Sequence, residues 1–304
     1  MDHLEDKVAF ITGGASGIGL GIGRACLDAG MKVVIADVRH DALTSAAASL
    51  AAKGGVVLPL TLDVTDRRQW LVCAERVHRE LGGVDLLCSN AGVNFIGPTQ
   101  EATYEDWEFA LGVNLGGTIN AVRTFVPSMI GSGHAGHVVI TASVNGLFSG
   151  AGVGVYVTTK FALVGLAESL RADLKELGVG VSVLCPGPVQ SDLFESTQEV
   201  RPRRLADTGS KPLLPPGVDR TDTPIFQTAL TGEEVGAAVL EGVRSNELYL
   251  LTHPEIRPVL EARASALLAA LPRQAVDAAR IQAQSRLLDT SLYATRRGSG
   301  TRSP

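Results

Sequence analysis

A tyrosine and a lysine spaced four positions apart could carry out proton transfer. Tyr156 and Lys160 lie at the start of a stretch with helical apolar spacing, so we expect both side chains on one helix face. A phenol ordinarily holds its proton up to a pKa of about 10, and a neighbouring ammonium lowers that pKa by stabilising the phenolate. The pair predicts a tyrosine that exchanges a proton with an alcohol. The alternative is a surface tyrosine beside a solvated lysine.

A serine hydroxyl could assist this chemistry. Ser143 follows the apolar run Val138–Thr141, which has the composition of a buried strand. Its hydroxyl could hold a substrate oxygen and stabilise the charge that develops there. Considered alone, Ser143 is better explained as the cap of a strand end.

A glycine-rich turn, T-G-G-A-S-G-I-G, occupies residues 12–19 between an apolar run and a helical pattern. Gly13 permits a tight turn, Gly17 lets the backbone approach a pyrophosphate, and Gly19 lets helix and strand pack closely. Free N–H groups at the helix N-terminus favour phosphate. The same turn contains Ser16 and Ile18. The turn predicts a dinucleotide site, although any tight strand-to-helix turn can use glycine.

An acidic residue ends the second apolar run and bears on the choice of cofactor. The carboxylate of Asp37 could accept hydrogen bonds from ribose hydroxyls and would repel a 2′-phosphate, which favours NAD over NADP. Arg39 could instead pair with a 2′-phosphate. Asp37 could also be an ordinary helix cap.

Short apolar runs alternate with helical patterns through the first two-thirds of the chain. If the apolar runs are strands, Asp37 and Ser143 lie at strand ends. This alternation predicts an α/β fold, a single Rossmann-like doubly wound parallel sheet of about seven strands with helices on both faces. The expected strands are Val8–Ile11, Val33–Ala36, Val56–Leu60, Leu86–Cys88, Val138–Thr141, Val181–Leu184 and Leu248–Leu251. The expected helices include Ile18–Ala29, Arg68–Leu81, Glu105–Ile130, Val157–Leu177 and Glu233–Arg244.

Two regions depart from this alternation. The proline-containing segment 196–231 is long and irregular, which is typical of a lid or binding loop. Beyond the catalytic and dinucleotide-binding domain, expected at 1–254, residues 255–304 predict a helical C-terminal extension. We expect its helices at Ile256–Leu271 and Arg273–Leu292, followed by a frayed tail at Arg296–Pro304.

The composition excludes several classes of partner. Hydrophobic residues make up 45% of the 304-residue chain and the net charge is -5, so there is no electrostatic case for nucleic acid or a membrane surface. The four cysteines show no metal-ligand spacing and suit buried apolar positions. We find no secretion signal or apolar run of membrane-spanning length, and so expect a cytoplasmic protein without a metal.

Taken in order, the motifs resemble the short-chain dehydrogenase/reductase family over about residues 6–195. The shared motifs are the Gly-x-x-x-Gly-x-Gly turn, Asn90-Ala91-Gly92, Asn114, Ser143, Tyr156-x-x-x-Lys160 and Pro186-Gly187. The resemblance implies NAD(H)-dependent hydride transfer with four catalytic residues. Lys160 would also hydrogen-bond the nicotinamide ribose, and Asn114 would hold a water in the proton relay to Lys160.

The same resemblance extends the cofactor site. Asp63 and Val64 match the residues that contact adenine, and Asn90, Ala91 and Gly92 would pass beneath the cofactor. The carboxamide contacts match Pro186, Val189 and Ser191. The family more often has threonine at position 191, but serine retains the hydroxyl.

Positions expected to face a small-molecule substrate are mostly apolar and include no arginine cluster. They are Asn94, Phe95, Val144, Asn145, Phe148, Val153, Leu193 and Phe194. The lid and the C-terminal extension resemble, more loosely, bacterial Cα-dehydrogenases of lignin-derived aryl ethers, which implies a bulky hydrophobic or aryl secondary alcohol. We expect a homodimer or homotetramer formed through the two long helices. The alternatives are an NADPH-dependent carbonyl reductase and a non-catalytic NAD(H)-binding sensor.

Overall fold

A computed structural model describes residues 1, 3–133, 135–211, 219–285 and 287–293. The chain forms two compact units, Met1–His253 and Pro254–Pro304. The tail predicted at Arg296–Pro304 and the prolines at positions 212, 215 and 216 of the predicted lid lie outside the described residues.

The first unit contains a seven-stranded parallel sheet, as predicted, with strand order β3-β2-β1-β4-β5-β6-β7. The order reverses beside β1, so loops leaving β1 and β4 diverge and open a crevice at the carboxyl ends of the strands. The strands are β1 Val8–Thr12, β2 Lys32–Asp37, β3 Val57–Thr61, β4 Leu86–Ser89, β5 Gly136–Thr141, β6 Val179–Cys185 and β7 Tyr249–Leu251.

Both faces of the sheet are buried, because successive side chains of each strand enter different cores. On β1, Phe10 contacts the rings of Trp70 and Phe125, with ring centroids 5.8 and 4.7 Å away. The neighbouring Ile11 belongs to the other core, which includes Ile22. This two-sided burial explains why the strands are continuous apolar runs rather than alternating ones.

Helices cover both faces of this sheet. They are α1 Gly17–Asp28, α2 His40–Ala51, α3 Arg67–Leu81, α4 Tyr104–Leu111, α5 Gly117–Gly131, α6 Gly154–Leu174, α7 Leu193–Val200, α8 Pro224–Gln227 and α9 Gly232–Ser245. The prediction of one continuous helix at Glu105–Ile130 is wrong in one respect. A π-helical turn at Gly112–Gly116 divides this region into α4 and α5. This wider turn contains Asn114 and changes the direction of its side chain relative to a regular helix.

The segment 196–231 is not irregular throughout, because α7 and α8 contain part of it. Contacts hold its first part against α4 and the loop before α4. The backbone N–H of Asn94 donates to Thr197 Oγ1 over 3.0 Å. Buried Arg201 forms an ion pair with buried Asp106. The beginning of this segment, at Thr197 and Arg201, is therefore docked on the first unit.

The second unit contains α10 Arg257–Ala269 and α11 Ala278–Ala283. The long helix predicted at Arg273–Leu292 is therefore wrong over most of its length. The side chain of Asp277 accepts the backbone N–H of Ala279 over 2.9 Å, so it caps a helix that begins at Ala278. Across both units, the described residues include no helix with the length and apolar character needed to span a membrane.

Candidate active site

A cavity of about 810 Å³ lies at the carboxyl ends of the strands. The ends of six strands, or the loops that follow them, contribute to it, at Gly13, Asp37, Asp63, Asn90, Ser143 and Pro186. The other predicted residues in its lining are Ser16, Gly17, Ile18, Val64, Ala91, Gly92, Tyr156, Lys160, Val189 and Ser191. Gly19 and Asn114 lie outside the described lining, but each contacts a residue that lines it, Gly13 and Val93 respectively.

The glycine-rich turn has the shape that the sequence predicts for a dinucleotide site. At Gly17, φ is +47°, and a Cβ atom would lie 2.8 Å from the Cβ of Ser191. At Gly19, a Cβ atom would lie 2.1 Å from the carbonyl oxygen of Gly13, so only glycine lets α1 approach the turn. Ser16 does not cap α1 with its side chain, which leaves N–H groups of the first turn for a phosphate.

Asp37 ends β2 in the cavity lining, where it is paired with Arg39. One carboxylate oxygen accepts the Arg39 backbone N–H over 3.0 Å and Arg39 Nε over 3.2 Å. The other accepts the Ala15 N–H over 3.3 Å. Burial alone would lower the pKa of Arg39, but its hydrogen bonds to Asp37 and Asp192 raise that pKa above its usual value.

Asp63, Val64 and Asn90 have structural partners that fix their backbone. Asp63 Oδ1 accepts the N–H of Thr65 over 2.9 Å, and the carbonyl of Val64 accepts Trp70 Nε1 over 2.9 Å. The amide of Asn90 donates to the Thr12 carbonyl over 3.1 Å. These contacts hold the loops after β1, β3 and β4 in place beside the cavity.

Tyr156 and Lys160 lie together on α6, and Ser143 lies beside them. Burial raises the pKa of Tyr156 to about 12, while a hydrogen bond with Ser143 acts in the opposite direction. Lys160 Nζ is 5.4 Å from the centre of the Tyr156 ring and donates to the carbonyl of Thr141 over 3.1 Å. The predicted lowering of the Tyr156 pKa by Lys160 is therefore wrong for this structure, because burial dominates.

Burial also acts on the lysine, lowering the pKa of Lys160 to about 8. A phenol with a raised pKa keeps its proton at neutral pH and can donate it to a carbonyl oxygen. The Ser143 hydroxyl also accepts the N–H of Asn145 over 3.1 Å. Ser143 therefore caps the short 3-10 turn Val144–Gly146 rather than the end of β5, which corrects the alternative given above.

Asn114 is buried and uses its whole side-chain amide within the protein. Its Oδ1 accepts the N–H of Val93 over 2.8 Å. Its Nδ2 donates to the Val93 carbonyl over 3.0 Å and to Thr159 Oγ1 over 2.9 Å. Asn114 thus ties the loop after β4 to α6, and the relay to Lys160 stays a prediction.

A nicotinamide dinucleotide fits these residues. Thr141 Oγ1 is buried in the cavity wall next to the carbonyl that binds Lys160, and it has no hydrogen-bond partner among the described residues. A bound ligand could supply that partner. Together with the glycine-rich turn and Asp37, this arrangement provides for the phosphates, a ribose and a polar group near Tyr156.

The rest of the cavity is largely apolar. Five positions predicted to face a substrate do line it, namely Asn94, Val144, Asn145, Leu193 and Phe194. Phe95, Phe148 and Val153 are outside the described lining, and Phe95 is buried against Ala110 and Val155. The sequence analysis missed the apolar residues Phe109, Val113, Val200, Ile225 and Phe226. Of these, Phe109 and Val113 have the four-residue spacing of one helix face, which could have indicated them.

Comparison with known proteins identifies the family. The family model for short chain dehydrogenases matches residues 7–202. The chain belongs to the short-chain dehydrogenase family. The resemblance seen in the motifs is thus confirmed, and the chain is an oxidoreductase of this family.

Relatives of this short-chain dehydrogenase include a C alpha-dehydrogenase from Sphingobium sp. strain SYK-6. It is 38% identical over 274 residues, 88% of this chain and 87% of the relative, which supports the looser resemblance noted above. A 1-deoxy-11-beta-hydroxypentalenate dehydrogenase from Streptomyces exfoliatus is 35% identical over 259 residues, 84% of this chain and 86% of the relative. A crystal structure from Burkholderia phymatum, in complex with NAD, has a TM-score of 0.82 at 34% identity, covering 91% of this chain and all of that one.

Proposed function

We propose that this protein moves a hydride between NAD(H) and a bulky hydrophobic or aryl secondary alcohol or its ketone, with Tyr156 as the general acid and base. The observation that carries this proposal is that Tyr156, Ser143 and Lys160 line the same cavity as the glycine-rich turn. Cofactor, substrate and proton donor can therefore meet in one space.

NAD is the proposed cofactor because Asp37 is buried at the end of β2, where ribose hydroxyls would be bound and a 2′-phosphate repelled. When bound, NAD(H) accepts or supplies the hydride. Lys160 would bind the nicotinamide ribose, and the residues at positions 63–64, 90–92, 186, 189 and 191 would contact the remainder.

The protein's own part is to move a proton. In ketone reduction, Ser143 would hold the carbonyl oxygen and Tyr156 would donate its proton to that oxygen. In alcohol oxidation the same phenol must first lose its proton, so Tyr156 acts as the base. Asn114 would complete the relay through which Lys160 restores the protonation state of Tyr156.

A bulky, apolar substrate is supported by the cavity lining and by the relatives. Aromatic and aliphatic side chains from α4, α7 and α8 line it, including Phe109, Phe194 and Phe226. The Streptomyces relative is named for a hydroxypentalenate substrate. We further propose a cytoplasmic location, since the four cysteines are free and buried. We also propose a homodimer or homotetramer formed through the long helices α5 and α6, as the family resemblance implies.

The test follows nicotinamide absorbance with NAD+ or NADP+ and a panel of aryl and aliphatic secondary alcohols. NADH formation with aryl alcohols, lost in Tyr156→Phe, is the expected result. Turnover only with NADP+ would make the protein an NADPH-dependent carbonyl reductase. Tight NADH binding with no turnover on any alcohol or ketone would favour the sensor and contradict the proposal.

A further inference from the structure

One arginine, Arg39, joins Asp37 at the end of β2 to Asp192, and all three residues line the cavity. Asp192 is the residue immediately before α7, and its carboxylate accepts Arg39 Nη1 over 2.6 Å. The other carboxylate oxygen of Asp192 accepts the hydroxyl of Ser16 over 2.5 Å. Arg39 and Asp192 are 153 positions apart in the chain.

These contacts occupy all three nitrogens of the guanidinium. Nε donates to Asp37 over 3.2 Å, Nη1 to Asp192, and Nη2 to Ser16 Oγ over 2.9 Å. The Arg39 side chain is only 10% exposed. A guanidinium held in this way has two carboxylates as partners, so the cluster of Arg39, Asp37 and Asp192 carries a net negative charge.

We propose that Asp192 is a specificity-determining residue for the cofactor, acting by holding Arg39 away from the 2′ position of the adenosine ribose. Arg39 is the nearby cation that could otherwise bind a 2′-phosphate. Asp192 neutralises it and adds a second repulsive carboxylate beside Asp37. The inference rests on the proposed use of NAD, and it assigns part of that preference to Asp192 rather than to Asp37 alone.

Removing the Asp192 charge should release Arg39 Nη1 and bring the cluster to neutrality, while Nε stays bonded to Asp37. A hydrogen bond between the released Nη1 and phosphate would then favour ligands with a 2′-phosphate by about tenfold or more relative to ligands without it. The gain depends on Arg39, so it should disappear when Arg39 is also replaced.

The experiment measures binding of AMP and of adenosine 2′,5′-bisphosphate to the whole protein by calorimetry, which requires no turnover. We expect wild type to prefer AMP and Asp192→Asn to shift the affinity ratio towards the bisphosphate. The double variant Asp192→Asn/Arg39→Gln should return towards the wild-type ratio. Asp192→Glu retains the carboxylate and should keep the preference for AMP. Glu199→Gln removes an exposed charge from the same helix and is the matched control.

An unchanged ratio in Asp192→Asn would overturn the inference, as would an equal shift in Glu199→Gln. Should Asp192→Asn fail to fold, Asp192→Ser provides a second way to remove the carboxylate. A wild-type protein that binds the bisphosphate better than AMP would instead contradict the proposed choice of NAD. The two failures are therefore distinguishable in one set of titrations.

Discussion

The Lys160 ammonium lies 5.4 Å from the centre of the Tyr156 ring and directs a hydrogen bond to the Thr141 carbonyl. This arrangement keeps a cation near the phenol without a direct bond to its oxygen. Burial then controls both groups, raising the pKa of Tyr156 to about 12 and lowering that of Lys160 to about 8. The structure therefore presents a protonated tyrosine, ready to act as an acid.

The first prediction is that Tyr156 in the free protein remains protonated at pH 10, where an unperturbed tyrosine is about half ionised. Subtracting the ultraviolet titration of Tyr156→Phe from that of wild type isolates its phenolate signal. We expect no signal at that pH. Tyr104→Phe, at a residue 87% exposed, provides the matched control. A Tyr156 phenolate at pH 8 would contradict the account.

The second prediction concerns acid stability. His137 is buried with its Nε2 2.8 Å from Ser182 Oγ, and burial is the main cause that lowers its pKa to about 3. The unfolded chain takes up this proton near pH 6.5, whereas the folded protein resists it. The His137 contribution to the free energy of unfolding is therefore full above pH 6.5. It falls towards pH 3 by up to about 1.4 kcal/mol per pH unit.

Urea unfolding at several pH values checks this slope. His137→Gln should be less stable at pH 7, because a well-packed buried group is replaced, but it should lose less stability on acidification than wild type. The exposed His78 offers a control, since His78→Gln should keep the wild-type slope. Equal slopes in wild type and His137→Gln would rule out this role.

The third prediction concerns the ion pair that fastens the lid. Arg201 is buried against Asp106, and its guanidinium carbon lies 5.8 Å from the centre of the Phe109 ring in the cavity wall. Arg201→Met leaves a buried carboxylate without its cation, which should cost about 3 kcal/mol or more in unfolding free energy. The KM for a bulky alcohol should rise as well.

Chemical denaturation and steady-state kinetics measure the two effects. Arg203→Met is the control, because Arg203 is exposed in the next turn and outside the described cavity lining. A loss below about 1 kcal/mol in Arg201→Met would show that the pair contributes little, as surface pairs do.

The fourth prediction separates two glycines of α1. Gly19→Ala places a methyl group against the Gly13 carbonyl oxygen and should weaken NADH binding about tenfold or more by displacing the turn. At Gly23 the nearest atom, Leu50 Cδ1, would be 3.5 Å from the new methyl carbon. Gly23→Ala should therefore keep NADH binding and gain helix stability. Equal NADH affinities in fluorescence titrations of the two variants would contradict the steric argument.

Much of the fold follows from local patterns, because fully buried parallel strands must be continuous apolar runs. That rule predicted the seven strands, and polar residues directly after them, such as Ser143, predicted the cavity edge. The contacts of Arg39 with Asp192 and of Arg201 with Asp106 could not be predicted, because they join positions 153 and 95 apart and no local pattern indicates which distant residues meet. The spacing of Tyr156 and Lys160 in the sequence shows that the two side chains are neighbours. It does not show how deeply Tyr156 is buried, and burial is the main cause of its raised pKa.

The most direct test of the central claim compares Tyr156→Phe with wild type at saturating NAD+ and the best secondary alcohol of the panel. We predict that kcat falls by about a hundredfold or more while the dissociation constant for NADH is unchanged, because only the proton-transferring hydroxyl is lost. Tyr104→Phe should match wild type in both measurements. A Tyr156→Phe protein that retains the wild-type kcat would contradict the assignment of Tyr156 as the acid and base.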